Sequence, residues 1–168
     1  RSLEFVLALT LPAAIGLALL PNEIVGVLYE RGAFDSFDRQ QTALALAAFS
    51  SGLPAYVMLK VFQPAFFARE DMRTPFWFSV VMVVSNIILS LSLFPVLGHV
   101  AIAIATSISA WINLALLVGT LWHRRQFRPD SATAKRIAML LVASGFMIPA
   151  ILVSQNYGGD WLLGDQVS

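Results

Sequence analysis

Three kinds of residue are scarce in this 168-residue chain: cysteine, histidine and charged residues. The chain has no cysteine and two histidines, and 12% of its residues are charged, about half the share usual in soluble domains. Without cysteine, disulfide scaffolds, zinc fingers and thiol catalysis are excluded. Because a soluble domain needs a charged exterior to stay dispersed, the low charge argues against a soluble fold. The formal net charge of +1 argues against a nucleic-acid-binding protein.

Apolar side chains are abundant, at 58% of all residues. This excludes an intrinsically disordered chain, which requires low hydrophobicity and high net charge. The apolar residues fall in long uncharged runs, and a helix of about 20 such residues crosses the ~30 Å of hydrocarbon in a bilayer. The chain is therefore predicted to be all-α, a polytopic membrane helix bundle with about five transmembrane helices. The predicted spans are 3–21, 41–67, 75–95, 99–122 and 134–155.

The connections between these spans predict how the chain is organised. Residues 22–30 are too short to span and predict a short interfacial helix, and Asp38 is predicted to cap the second spanning helix. The chain divides into a four-helix bundle over 1–125 and a second part over 126–168, with a basic linker, one further helix and a polar tail. Since five helices are few for a translocation pathway between helix bundles, we expect the chain to be an interior stretch of a larger protein.

Positive charge is distributed unevenly between the two ends of the predicted helices. Eight of the eleven lysines and arginines fall on one side, and only Arg31 and Arg39 fall on the other. Cytoplasmic loops of membrane proteins carry an excess of Lys and Arg. The loops 69–73 and 123–136 are therefore predicted to be cytoplasmic, and the connection over 22–40 to lie on the far side of the membrane.

Catalytic motifs are not recognisable in the sequence. Both histidines lie at predicted helix ends, and the charged cluster 69–73 is the one candidate for chemistry. That cluster is equally well explained as a solvated, charge-balanced turn. We therefore predict a protein that is not an enzyme and that requires neither a metal nor a cofactor.

Lys60 is the one ionisable residue inside an apolar run. A charged side chain in the membrane interior costs about 2.5–3.5 kcal/mol on insertion scales and usually faces a water-filled cavity or a partner. One interpretation is that Lys60 extends its ammonium group toward the nearby interface. The other is that it lines a cavity and contacts an anionic substrate or a carboxylate on another helix.

Small polar side chains recur on the third and fourth predicted helices. Asn86 and Ser90 are four residues apart and share one helix face, and Thr106 and Asn113 share a face of the next helix. Facing hydroxyls and amides predict hydrogen bonds between the two helices. A second interpretation is a small-cation site or a polar cavity wall, because these side chains supply oxygen ligands.

Three stretches carry a resemblance to a known family, and they are residues 29–35, 52–75 and 98–107. In the second stretch Lys60 precedes a Pro-x-Phe segment and a loop that reads Ala68-Arg69-Glu70-Asp71-Met72-Arg73-Thr74-Pro75. In order and spacing these motifs resemble the MurJ (MviN) family of the MOP exporter superfamily, bacterial flippases for the lipid-linked peptidoglycan precursor lipid II.

The resemblance implies a fold and a function. Family members have fourteen helices, twelve of them in two lobes around a cationic cavity, and this chain would supply roughly the ninth to thirteenth. The family's cavity arginines lie mainly in the first lobe, which this chain lacks. The implied function is alternating-access flipping of lipid II from the cytoplasmic to the periplasmic leaflet of the bacterial inner membrane, during peptidoglycan biosynthesis. The implied partners are lipid II, membrane lipids, the first lobe, and a monovalent cation or the membrane potential.

The resemblance also assigns roles to individual residues. Lys60 and Asn113 become candidates for contact with substrate in the cavity. The candidates for a gate or hinge are Arg69, Asp71, Arg73, Glu30 and Arg31. The candidates for a cation site are Asn86, Ser90 and Thr106, of which Ser90 stands where a stronger oxygen ligand would be expected.

Two other functions remain open at this level. Another MOP-type exporter, for drugs or polysaccharide-linked lipids, would share the helix plan but not the loop 68–75. A non-transporting scaffold of the cell-wall machinery would also be a helix bundle, but its Lys60 would pair within the protein.

Overall fold

The computed structural model describes residues 2–29, 35–124, 139–140, 142–149 and 151 of the chain. Five helices account for most of this part, and they are α1 (Ser2–Leu19), α2 (Pro21–Tyr29), α3 (Ser36–Phe67), α4 (Arg73–Leu97) and α5 (Val100–His123). The described residues between 139 and 151 are helical as well, and no strand occurs in any of the described ranges. The all-α prediction is therefore confirmed.

Among the described residues, three helices are long and apolar enough to cross a membrane, and they are Phe37–Phe67, Arg73–Leu97 and Val100–His123. Helices suit these sequences because a helix satisfies its own backbone hydrogen bonds where no water is present. The pair α1 and α2 bends by 77° at its junction and counts as one broken span or a re-entrant segment. The last predicted span, 134–155, lies partly outside the described residues.

The start of α3 differs from the prediction. The helix begins at Ser36 rather than at 41, and Asp38 lies within its first turn instead of capping it. The Asp38 carboxylate accepts a long hydrogen bond of 3.4 Å from the backbone N–H of Asp35. This is the reciprocal half of a capping box, in which an acidic residue at the third helical position satisfies the N–H at the cap.

The turn between α4 and α5 needs a glycine. Gly98 has a φ of 55° and donates its N–H to the Phe94 carbonyl over 2.9 Å. A residue with a Cβ rarely adopts this backbone conformation, whereas glycine adopts it at little cost. The chain therefore reverses within two residues, and α5 runs antiparallel to α4.

The central helix of the described bundle is α5, which packs along both α3 and α4. Its buried face carries mainly alanines and serines in the first half and leucines in the second, and small residues let neighbouring backbones approach closely. The main apolar cluster joins the second half of α3 to α5, and its members are Ala55, Leu59, Phe62, Phe66, Ala110, Leu114, Leu117 and Leu121. The outer face of α4 is apolar and exposed, as expected for a surface that meets lipid or further helices.

Candidate functional site

The loop between α3 and α4 is held by backbone hydrogen bonds. The N–H of Asp71 donates to the Phe66 carbonyl over 3.1 Å, and the N–H of Glu70 donates to the Phe67 carbonyl over 3.0 Å. This pair of bonds is the Schellman arrangement that ends many helices. Glu70 occupies the left-handed position of that arrangement, with a φ of 59°. Glycine is the usual residue there, because a side chain makes the conformation costly.

We expect Glu70→Gly to stabilise the folded protein by about 1 kcal/mol, because glycine adopts the left-handed conformation without steric cost. The measurement is the thermal unfolding midpoint in detergent. Glu70→Ala is the matched control, since it removes the charge but keeps the Cβ. If both variants raise the midpoint equally, the effect comes from the charge and the prediction is wrong.

Asp71 connects this loop to α4. One carboxylate oxygen accepts the backbone N–H of Thr74 at 3.1 Å, and the other accepts the Thr74 hydroxyl at 2.8 Å. Met72 already has helical dihedral angles, so the Asp71 side chain serves as the N-terminal cap of α4. Such caps satisfy backbone donors that have no partner inside the helix.

Arg124, at the end of α5, completes the cluster. Its Nη1 atom lies 2.6 Å from Asp71 Oδ2, and its Nη2 atom donates to the Thr74 hydroxyl over 3.3 Å. The pair is only partly shielded, with 41% of the Arg124 side chain and 22% of the Asp71 side chain exposed. Ion pairs this open to solvent contribute little to stability. The contact does, however, join the end of α5 to the turn between α3 and α4.

The pKa of Asp71 is lowered to about 2, first by the hydrogen bond from Arg124 and then by those from Thr74. When folding lowers the pKa of a carboxyl group, the group stabilises the folded protein at any pH above its pKa in the unfolded chain. This contribution is lost as the pH falls through the pKa of the folded protein. For Asp71 the loss takes place as the pH falls from 3.8, the ordinary pKa, to about 2. The pair is therefore intact at neutral pH.

We expect the Asp71 carboxyl carbon to titrate near pH 2 in an NMR titration of detergent-solubilised protein. Arg124→Gln should raise that midpoint toward the ordinary value, because it removes the guanidinium that favours the carboxylate. A midpoint near pH 4 in the unmodified protein would mean that the pair does not form in solution.

Arg69 and Arg73, the predicted gate arginines that the structure describes, are both exposed. Arg69 donates from Nη1 to the Ala65 carbonyl over 2.9 Å, at the carboxyl end of α3, where a cation is favoured by the helix dipole. Arg73 lies in the first turn of α4, where the dipole disfavours a cation. Its position therefore has no local electrostatic explanation. Glu30 and Arg31, the remaining gate candidates, lie outside the described residues.

Lys60 is exposed on α3, next to the buried Leu59 and opposite the face that packs on α5. Within the described part of the chain, no hydrogen bond or ion pair joins its ammonium group. The side chain is therefore available to a group outside this part of the protein.

The predicted polar contact between the third and fourth spans is confirmed. Asn86 Nδ2 donates to the Thr106 hydroxyl over 3.0 Å, and that hydroxyl donates to the Ile102 carbonyl over 2.6 Å. Ser90 lies one turn from Asn86, and its buried hydroxyl has no partner among the described residues. The Asn86 amide thus directs its N–H group, and not its oxygen, toward Thr106. This hydrogen bond joins the two helices but does not offer the amide oxygen to a cation at that point. The cation site remains a prediction.

Asn113 is buried, with 2% of its surface exposed. It lies in the interface between α5 and α4, where Nδ2 contacts the Met82 sulfur at 3.4 Å. Its Oδ1 atom is buried without a described partner. The structure therefore places this cavity candidate inside a packed helix interface.

Arg124 and Thr74 are the site residues that sequence reasoning missed. The distribution of positive charge predicts that Arg124 and the 69–73 loop lie on the same side of the membrane. It does not predict which residue Arg124 contacts. The pairing follows only from the packing of α5 beside the end of α3.

Comparisons with known proteins agree with this arrangement. A sequence model for the family described as "Lipid II flippase MurJ" matches residues 1–167. A "Probable lipid II flippase MurJ" from Rhizobium tropici is 44% identical over 164 residues, which are 98% of this chain and 31% of that protein. Another, from Rhizobium meliloti (strain 1021), is 42% identical over 162 residues, or 96% of this chain and 30% of that protein.

A solved structure described as "Lipid II flippase MurJ, inward closed conformation" has a TM-score of 0.79 at 30% sequence identity. The similarity covers 90% of this chain and 31% of that one. The chain thus spans about a third of the length of the relatives that it matches. Together with the three apolar helices, these similarities indicate a multi-pass membrane protein. The chain belongs to the lipid II flippase MurJ family.

Proposed function

We propose that this chain forms most of the second helix lobe of a lipid II flippase, and that the complete protein moves lipid II from the cytoplasmic to the periplasmic leaflet of the bacterial inner membrane. The observation that carries the proposal is the match of both sequence and helix arrangement to MurJ proteins over nearly the whole chain. Lipid II, membrane lipids and the other lobe are its partners.

The physical task is to move a polar, anionic headgroup through an apolar layer. Polar groups that lose water without replacement partners pay several kcal/mol each. A hydrated cleft between two helix lobes supplies such partners while the lipid tail remains in the bilayer, and rocking of the lobes then transfers the headgroup. No bond is made or broken in this cycle, so the protein acts as a transporter and not as an enzyme.

Lys60 contacts the headgroup in this proposal. Its ammonium group is exposed on α3 and has no described ion-pair partner. A cation held in a membrane-embedded cleft attracts a diphosphate more strongly than it would in water, because the effective dielectric constant is lower. The membrane potential adds a bias of about 2.3 kcal/mol per charge per 100 mV.

The cluster of Asp71, Thr74 and Arg124, with Arg69 and Arg73 beside it, forms the cytoplasmic gate or hinge. It joins the turn between α3 and α4 to the end of α5, so a change of partner here alters how the three helices are held. Arg69 and Arg73 are exposed and can replace Arg124 as the partner of a carboxylate. The pair of Asn86 and Thr106, with Ser90, remains the candidate for binding a coupling cation.

The test uses the full-length protein in vesicles that contain fluorescently labelled lipid II. We expect labelled lipid II to become accessible on the opposite leaflet when the protein is present. A lipid-linked polysaccharide precursor serves as the comparison substrate, because it separates this function from that of another MOP-type exporter. If neither lipid moves, the protein acts as a scaffold, and if only the comparison lipid moves, the substrate assignment is wrong.

A further inference from the structure

The middle of α3 contains a break in its backbone hydrogen bonding. Pro54 lies within the helix and has no N–H, so the carbonyl one turn earlier, at Ser50, loses its usual donor. Membrane helices tolerate such breaks when nearby side chains or neighbouring helices bond the affected backbone. Prolines are also the commonest cause of sharp helix bends.

Two side chains of α5 bond backbone carbonyls of α3 beside this break. Ser107 donates its hydroxyl to the Ala48 carbonyl over 2.7 Å, and Trp111 donates its indole N–H to the Ser51 carbonyl over 3.0 Å. Both carbonyls lie within the two turns before Pro54. The first half of α3 is thereby fastened to α5 at two successive turns.

Gly52 lies where the two helices approach closely. A Cβ atom added there would lie 2.7 Å from the Ser107 Oγ atom and 2.9 Å from the Ser107 Cα atom. A backbone atom at that distance cannot move aside without moving α5. The contact therefore requires a glycine, and any larger residue would push the helices apart.

The second half of α3 rests on the same helix. Ala55, Leu59 and Phe66, all after Pro54, are buried against the leucines of α5. Because α5 contacts α3 on both sides of the break, it determines the direction of the second half. That half carries Lys60, which lies six residues beyond Pro54.

We propose that α5 acts as a splint across the Pro54 break, and that Gly52, Ser107 and Trp111 are positioning residues that hold the first half of α3 at a fixed angle to the second half, which carries Lys60. The inference rests on the proposed function in one respect only, that Lys60 contacts the substrate. The geometric part, that these residues fix the angle between the two halves of α3, is independent of any transport activity.

The test measures distances between spin labels in the full-length protein, reconstituted in nanodiscs. One label pair joins positions 44 and 88, on the first half of α3 and on α4, and a control pair joins positions 60 and 88. Lys60, Leu44 and Ile88 are all exposed, so labels fit at each. Position 44 lies about 15 Å before Pro54, so a bend of about 20° moves it by about 5 Å.

We expect Trp111→Phe and Gly52→Ala to shift or broaden the 44–88 distance by about 5 Å and to leave the 60–88 distance unchanged. Gly119→Ala is the matched control, because a Cβ at that α5 glycine meets nothing within 4 Å. Trp111→Phe keeps an aromatic side chain but removes the N–H donor, so it tests the bond to Ser51 even if Gly52→Ala does not fold.

Unchanged 44–88 distances in Trp111→Phe would overturn the splint, and so would equal shifts in both label pairs, which would indicate general loosening. The proposed function fails separately. If flipping survives removal of the Lys60 charge while the 44–88 distance still responds to Trp111→Phe, Lys60 is not a substrate contact but the splint stands.

Discussion

Lys60→Met is expected to lower the rate of lipid II flipping by about tenfold or more, with normal insertion into the membrane. The change keeps the approximate length of the side chain but removes the cation that we propose contacts the diphosphate. A pair of charges about 4 Å apart near a protein surface interacts by about 4 kcal/mol, and loss of even about 1.4 kcal/mol is a tenfold change in rate. The measurement is the initial rate of flipping in vesicles, with protein abundance determined in parallel.

Lys60→Arg is the matched control, because it keeps the positive charge at the same position on α3. We expect this variant to retain most of the activity, since a guanidinium also binds phosphate groups well. Normal flipping by Lys60→Met would remove Lys60 from the substrate path. Equal losses in Lys60→Met and Lys60→Arg would show that the site depends on shape and not on charge.

Reversal of the charges at the cytoplasmic cluster is expected to have the second large effect. Asp71→Arg brings two cations together beside Thr74 and also removes the cap of α4. Arg124→Asp brings two carboxylates together at the same place. Since like charges in contact repel, we expect each single reversal to reduce flipping by about tenfold or more.

The double reversal, Asp71→Arg with Arg124→Asp, tests the pair itself. It restores opposite charges but not the helix cap, and the cap is also missing in Asp71→Arg. The gain of the double variant over Asp71→Arg therefore measures the change from repulsion to attraction between positions 71 and 124, with the cap missing in both variants. We expect severalfold recovery of flipping, and no recovery would mean that this ion pair has no part in transport.

A gate and a static brace differ in what Arg124→Asp, which leaves the capping residue Asp71 in place, does to the folded protein. If the cluster is only a brace, the loss of flipping will follow a loss of thermal stability and abundance. A gate that exchanges partners during transport loses activity while the unfolding midpoint changes little, because the ion pair is largely exposed. The two measurements on the same preparations decide between them.

The helix bundle was predictable because long uncharged runs permit few other structures. Residues 73–97 and 100–123 have the lengths that a bilayer requires, and both ends were predicted within two residues. The start of α3 was not predicted, since four of the five residues 36–40 are polar and interrupt the apolar signal. The 77° bend between α1 and α2 was not predictable either, because it depends on how both helices meet α3.

The sequence likewise predicted some features of the candidate site and not others. The motif order pointed to Lys60 and to the loop 68–75, and the facing positions of Asn86 and Thr106 predicted their hydrogen bond. Asn113 has the same polar character as Asn86, yet it is enclosed between helices. Its surroundings come from the rotation of α5 between its neighbours, which helical spacing alone does not determine.

The sequence by itself determined that this chain is apolar and helical, which helices are long enough to span, and which family it resembles, because those properties depend on composition and on local order. Only the tertiary structure decided that Arg124 meets Asp71 and that Trp111 and Ser107 hold α3 beside Pro54. These partners are between 50 and 60 residues apart in the chain. Contacts of that range depend on how whole helices pack, and no local pattern specifies it.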